Sequence, residues 1–184
     1  MLNKDISTSG LNVLDVIQPD VDLPDFIFTK KFSRYFFFDA DFGTSDEHID
    51  VVQEISRLCF DSDFKVNVFS NLDKSYQGSL GADGNWVQSV NEITRHMRDD
   101  RDCSGLLMVG GSKQLVLFQK QPVDIGILAI DSDRDLIELS QLINECFFCC
   151  KDISNWLGRK TNNDIELVES MGSDFLTELA SKYC

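Results

Sequence analysis

The chain has 184 residues, enough for one domain that buries a core without disulfides or metals. Hydrophobic residues make up 42% and charged residues 26%, with 14 Phe against 3 Pro, a balance that excludes a disordered chain. Seventeen Lys and Arg stand against 31 Asp and Glu, and the net charge of −14 excludes a surface built for nucleic acid or anionic membrane.

Residues 1–24 read as a weakly patterned N-terminal arm. Leu11, Val13, Leu14, Val16 and Ile17 suffice for a short helix or packed segment, and Pro19 and Pro24 bracket a turn. Phe26 to Phe28 is a short apolar piece. Phe32 to Phe42 (FSRYFFFDADF) reads as a strand, and its aromatic run Tyr35 to Phe38 as one covered on both faces. Thr44 followed three residues later by Glu47 is a capping-box pattern. It opens a helix whose Val51, Val52, Ile55, Leu58 and Cys59 share one apolar face. Phe64, Val66 and Val68 alternate with Lys65 and Asn67, the signature of a half-buried strand, and Gly78 to Gly84 reads as a loop. Trp86, Val90, Ile93 and Met97 predict a second helix ending in the charged run Arg98 to Asp102.

Three strands follow closely: Leu106 to Val109, Leu115 to Phe118 and Ile125 to Ile130. The turn Gly110-Gly111-Ser112-Lys113 and the break Gln121-Pro122 separate them, and connections this short predict antiparallel neighbours. Ser132 is placed to cap a helix with Asp133 and Asp135 in its first turn, where carboxylates suit the helix dipole. That helix carries Leu136, Leu139, Leu142, Ile143, Cys146 and Phe147. Ile153, Trp156 and Leu157 form a short helical piece ending at Gly158, and Ser173 caps a last helix through Tyr183. The order predicts a single α+β domain over 1–184, a mostly antiparallel sheet of about five strands with helices packed on it.

Two acidic clusters sit where chemistry could occur. Asp39 and Asp41 end one apolar run, and Asp131 and Asp133 end another. Carboxylates so spaced suit Mg²⁺, and one could act as a phosphoryl-transfer nucleophile. The stretch YFFFDADFGT resembles the opening motif of haloacid-dehalogenase-type phosphatases, which implies a Mg-dependent phosphohydrolase. It departs from that motif by Phe42, inserted before Gly43-Thr44, and no later Gly-Asp-x-x-x-Asp stretch completes the metal site. The same carboxylates are explained more simply by strand ends that begin capped helices.

The other candidates are bland. Cys146-x-x-Cys149-Cys150 falls at the end of an apolar helix, not at a helix start as a redox pair would, and no second Cys pair makes a zinc site. His48 and His96 are expected to decorate the two long helices. Gly110 to Lys113 lacks phosphate-loop spacing. The opening MLNKDISTSG has no apolar h-region, and no apolar run approaches the ~20 residues needed to span a bilayer. A cytoplasmic chain is therefore expected, its 6 cysteines reduced and mostly buried as small apolar residues.

Small size, acidity and carboxylates at strand and helix ends resemble the immunity proteins of bacterial toxin systems. That resemblance implies an acidic inhibitor, not an enzyme, that neutralises a basic protein partner such as a nuclease toxin and needs no cofactor or metal. The expected partner-binding residues are Asp39, Asp41, Asp46, Glu47, Asp99, Asp100, Asp102, Asp131, Asp133 and Asp135, with Trp86, Trp156 or Tyr76 as aromatic anchors if they are not core. A structural or adaptor subunit, whose charge serves only solubility, is the remaining reading.

Overall fold

A computed structural model describes residues 12–121 and 125–184. Leu11, Pro122 and the opening MLNKDISTSG, used in the sequence reading, lie outside that range. The chain is a single α+β domain built on a six-stranded sheet, every neighbouring pair of it antiparallel. The strands are β1 (Arg34–Phe38), β2 (Lys65–Ser70), β3 (Tyr76–Gly81), β4 (Leu106–Gly110), β5 (Leu115–Phe118) and β6 (Gly126–Ile130), in spatial order β1-β6-β5-β4-β2-β3.

Helices cover both faces of this sheet. The central strands LLMVG, LVLF and GILAI are buried along their whole length, and successive side chains alternate between two cores. Leu106, Met108, Leu115, Leu117, Leu128 and Ile130 face α1 (Asp46–Cys59), α2 (Trp86–Asp99) and α3 (Ser140–Cys146). Leu107, Val109, Val116, Phe118, Ile127 and Ala129 face α4 (Cys150–Leu157), α5 (Asn162–Met171), α6 (Ser173–Tyr183) and the segment before β1. Two-sided cover explains why these strands read as continuous apolar runs without a polar alternate. In the same way Phe38 of β1 enters the first core and Phe37 the second.

Several expectations are corrected. The sheet has six strands, because Tyr76–Gly81, whose C-terminal half the sequence reading placed in a loop, pairs with β2. Its glycines, Gly78 and Gly81, hid it. The strand lies at the sheet edge, where fewer residues need be apolar. The first strand is shorter than expected, ending at Phe38. Helix α1 begins at Asp46 with Ser45 as N-cap, and Thr44 instead ends a 3₁₀ turn capped by Asp41. The Ser132 helix starts late: a 3₁₀ turn at Ile137–Leu139 leads into α3. Helix α5 was not anticipated, although Thr161 and Asp164 form a capping box at its start.

Residues of the expected arm are firmly packed from Val13 onward. Val13, Val16 and Ile17 are buried, and Ile17 bridges Phe28. Tyr183 closes this layer. Its hydroxyl accepts from the Ile27 N–H at 3.0 Å and donates to the Asp25 carbonyl at 2.7 Å, and its ring sits among Phe26, Tyr35 and Phe37.

Candidate functional site

Topology decides which carboxylates can act together. β1 and β6 are antiparallel and pair Phe38 with Gly126 and Arg34 with Ile130. Asp39 therefore leaves one end of the sheet and Asp131 the opposite end, about 20 Å apart at ~3.4 Å per residue. A chelated cation needs its oxygen ligands within ~2.6 Å of itself. Asp39, Asp41, Asp131 and Asp133 cannot surround one Mg²⁺, so the four-carboxylate site expected for a phosphohydrolase is not assembled.

At the first end, α1 begins and α2 finishes beside the β1 exit. This places Asp39, Asp41, Asp46, Glu47, Asp99, Asp100 and Asp102, which the sequence holds in two separate stretches, at one end of the sheet. Among the described residues none of the seven is in an ion pair; those found join Lys30–Asp131, Arg57–Glu54, Lys113–Asp15, Lys120–Asp22 and Lys182–Asp25. Arg98 and Arg101 belong to the same end but do not offset seven carboxylates. A depression of about 220 Å³ lies between Asp41 and Asp102, floored by Met97 and Leu106 with Arg98 at its side.

Three of the seven carboxylates are held by hydrogen bonds. Asp41 Oδ1 accepts from the Gly43 N–H at 3.1 Å, and Asp46 accepts from Asn91 Nδ2 at 3.1 Å. Asp102 accepts from the Ser104 N–H at 2.9 Å and from the Ser70 hydroxyl. Partial burial pushes the Asp102 carboxyl up, but bonds from Ser70 and Ser104 outweigh it and hold the group below its ordinary value. Asp41 thus also serves as the cap of the 3₁₀ turn Phe42–Thr44.

Sequence reasoning missed the group that fixes the acidic loop. Gln119 is 1% exposed, between the last residue of β5 and the β1 exit. Its Oε1 accepts from the Phe42 N–H at 3.0 Å and its Nε2 donates to the Ala40 carbonyl at 2.5 Å, so it grips the loop that carries Asp39 and Asp41. Asn71, also buried, donates to the Gln119 carbonyl at 2.8 Å. The first residue of the polar run Gln119-Lys120-Gln121 after LVLF gave no hint of such a contact.

His48 is more than a surface decoration. Its Nδ1 lies 2.7 Å from the Ser45 hydroxyl, and its ring packs on Phe38 and Phe147. Burial pushes its pKa down, against the smaller opposing influence of the Cys146 carbonyl, Asp39 and Glu47. Its Nε2 is buried without a hydrogen-bond partner among the described residues. Serine at the N-cap thus bonds the histidine three residues on and not a backbone N–H of the first turn. His96 is exposed on α2, as expected.

The opposite end differs. A cleft of about 770 Å³ separates the α1–β2 loop, the β4–β5 turn and the segment after β6. Asp131 and Asp133 meet Asp61 and Asp63 there, which the sequence reading did not single out, but Lys65 and Arg134 line the same cleft and Lys30 pairs with Asp131 at 2.8 Å. Asp135 accepts from the Ile137 N–H at 3.0 Å and starts the 3₁₀ turn. The expected partner-binding set thus divides between two ends, seven residues against three.

Of the aromatic anchors, Trp86 is core, with its indole N–H donating to the Gly81 carbonyl. Trp156 is half-buried against Phe148, and Tyr76 is 59% exposed. The cysteines depart from expectation. Cys150 and Cys184 form a disulfide, Cys103 is exposed, and Cys59, Cys146 and Cys149 are half-buried. Cys149 and Cys150 open α4 instead of closing α3, because the extended residue Phe148 pairs with Phe37 between the two helices.

No helix among the described residues is long and apolar enough to cross a membrane. No protein-family model, curated protein or solved structure matches this chain.

Proposed function

We propose that the chain is an acidic cytoplasmic binding protein that neutralises a basic protein partner, in the manner of an immunity protein blocking a nuclease toxin. One observation carries the reading: seven carboxylates lie at one end of the sheet, and none is in an ion pair among the described residues. A field of one sign steers an opposite partner and suppresses like-charged ones. A nuclease must be basic to hold phosphates, so a blocker gains by placing carboxylates where phosphates would lie. The apolar depression between Asp41 and Asp102 suits the aliphatic stem of a lysine or arginine whose head meets those carboxylates.

The test compares wild type with the quadruple variant Asp39→Asn, Asp41→Asn, Asp46→Asn and Glu47→Gln. Each is used as bait in host lysate at low and high salt, and the recovered protein is then assayed with and without bait for nuclease activity. The reading expects one stoichiometric basic protein, inhibited by wild type, whose capture falls with salt and with the variant. Recovery of no stoichiometric partner by wild type, or equal capture and inhibition by the variant, would overturn it.

A further inference from the structure

We propose that the Cys150–Cys184 disulfide is a reversible redox latch on the α4–α6 layer, opened by a dithiol reductant of the thioredoxin class. The bond joins the first residue of α4 to the residue that follows α6, across a sequence separation of 34. A domain of this size holds its fold by its core, and disulfides that serve as structural staples belong mainly to domains too small to do so. The structure agrees. Without the bond, α6 still buries Leu176, Leu179 and Tyr183, and α4 still buries Ile153. The linkage joins two helices that apolar packing already seats.

Access points the same way. Cys184 is exposed and Cys150 only half-buried, so an external thiolate can reach the Cys184 sulfur. In the opening step that thiolate attacks Cys184 Sγ, the S–S bond breaks, and Cys150 leaves as a thiolate at the N-terminus of α4, where the helix dipole favours it. The second thiol of the reductant then attacks the mixed disulfide. The protein gains two electrons and two protons as two thiols, and the reductant departs as its own disulfide. Oxidation of the two thiols by a disulfide of the same class restores the latch.

Opening has a defined reach. Tyr183 precedes Cys184 and holds the Ile27 N–H and the Asp25 carbonyl through its hydroxyl, while Lys182 approaches Asp25 at 3.7 Å. Freed at Cys184, the end of α6 loosens together with residues 25–28. The layer of α1 to α3, on the other sheet face, has no covalent share in the change. The latch therefore regulates the arm side of the molecule and leaves the acidic end in place.

The experiment uses the full chain, purified under oxidising conditions and then incubated at native temperature with reduced thioredoxin, with reduced glutathione alone as a second probe. Thiols are counted by alkylation and mass spectrometry, and amide hydrogen exchange is followed in both forms. The proposal expects four free thiols before and six after reduction, unchanged far-ultraviolet circular dichroism, and exchange at least about tenfold faster confined to α6 and residues 25–28. Re-oxidation should reverse it, and Cys184→Ser should show the fast exchange permanently. Six thiols before reduction, no reduction by either probe, or faster exchange across β4 to β6 as well would each overturn it. The last would identify a structural staple.

Discussion

Gln119 is the residue on which the placement of the acidic end can be tested most sharply. Gln119→Leu keeps the side-chain volume but removes the acceptor for Phe42 N–H and the donor to the Ala40 carbonyl. Phe42 is fully buried, so its N–H is left without a partner at about 1–3 kcal/mol. Ala40 is half-exposed, and water can replace part of its bond, which adds about 1 kcal/mol. The sum is about 2–4 kcal/mol, and at ~2–4 °C per kcal/mol for a chain of this length the melting temperature should fall by about 4–16 °C. Thermal unfolding by circular dichroism reads the fall, and hydrogen exchange at the Phe42 and Gly43 amides reads the loosened loop. A melting point within about 2 °C of wild type, with those amides equally protected, would refute the claim that Gln119 pins the Asp39–Asp41 loop.

Three further outcomes follow from single contacts. A Cβ at Gly126 would lie 2.3 Å from the Phe38 ring, which is fully buried and cannot swing away, so Gly126→Ala should cost about 3 kcal/mol by urea denaturation. Tyr183→Phe leaves the buried Ile27 N–H unpaired and should cost about 1–3 kcal/mol without changing near-ultraviolet signals from Trp86. His48 is held neutral by burial, with Asp39 and Glu47 the charged groups facing it, so its folded pKa lies below the ordinary 6.5. The unfolded chain then binds more protons in that window; stability is complete above about pH 6.5 and is lost as pH falls through the folded pKa. His48→Gln should flatten that part of the stability–pH curve, as measured by chemical denaturation from pH 7.5 to 5.

Much of the sheet was legible because burial on both faces writes itself as apolar runs. LLMV, LVLF and GILAI are strands in sequence and structure alike, and their short connections gave the antiparallel order β4-β5-β6. Trp86, Val90 and Met97 marked the buried stripe of α2 for the same reason. The edge strand β3 was not legible, since YQGSLG buries only Leu80. The disulfide was not legible either: cysteine spacing does not say that Cys150 and Cys184 meet, and a chain read as cytoplasmic gave no reason to pair them. The acidic residues were found one by one, but their division was hidden, because whether Asp39 and Asp131 share an end depends on β1 and β6 being antiparallel neighbours across nearly 90 intervening residues. Gln119 shows the same limit at one position, where a buried amide reads as an ordinary polar residue after a strand.

That division makes the two ends energetically separable, and the separation can be measured. Sites more than ~7–10 Å apart with no shared partner contribute additively within about 0.5 kcal/mol. The two ends are about 20 Å apart by strand rise. Screening at 0.15 M salt shortens electrostatic reach to ~8 Å, so neither end should feel the other. Combining Asp39→Asn and Asp41→Asn with Asp131→Asn and Asp133→Asn should therefore change stability by the sum of the two pairs. The Asp131 pair also releases Lys30, whose bond to Asp131 is exposed and worth at most about 1 kcal/mol. At 0.01 M salt the reach grows to ~30 Å, and relieving repulsion at one end should then reduce the gain from relieving it at the other. Additivity at both salts would mean that the ends do not interact at all. Non-additivity at 0.15 M would mean that the carboxylates communicate through the sheet and not through solvent, which would break the argument that one end alone presents the binding face.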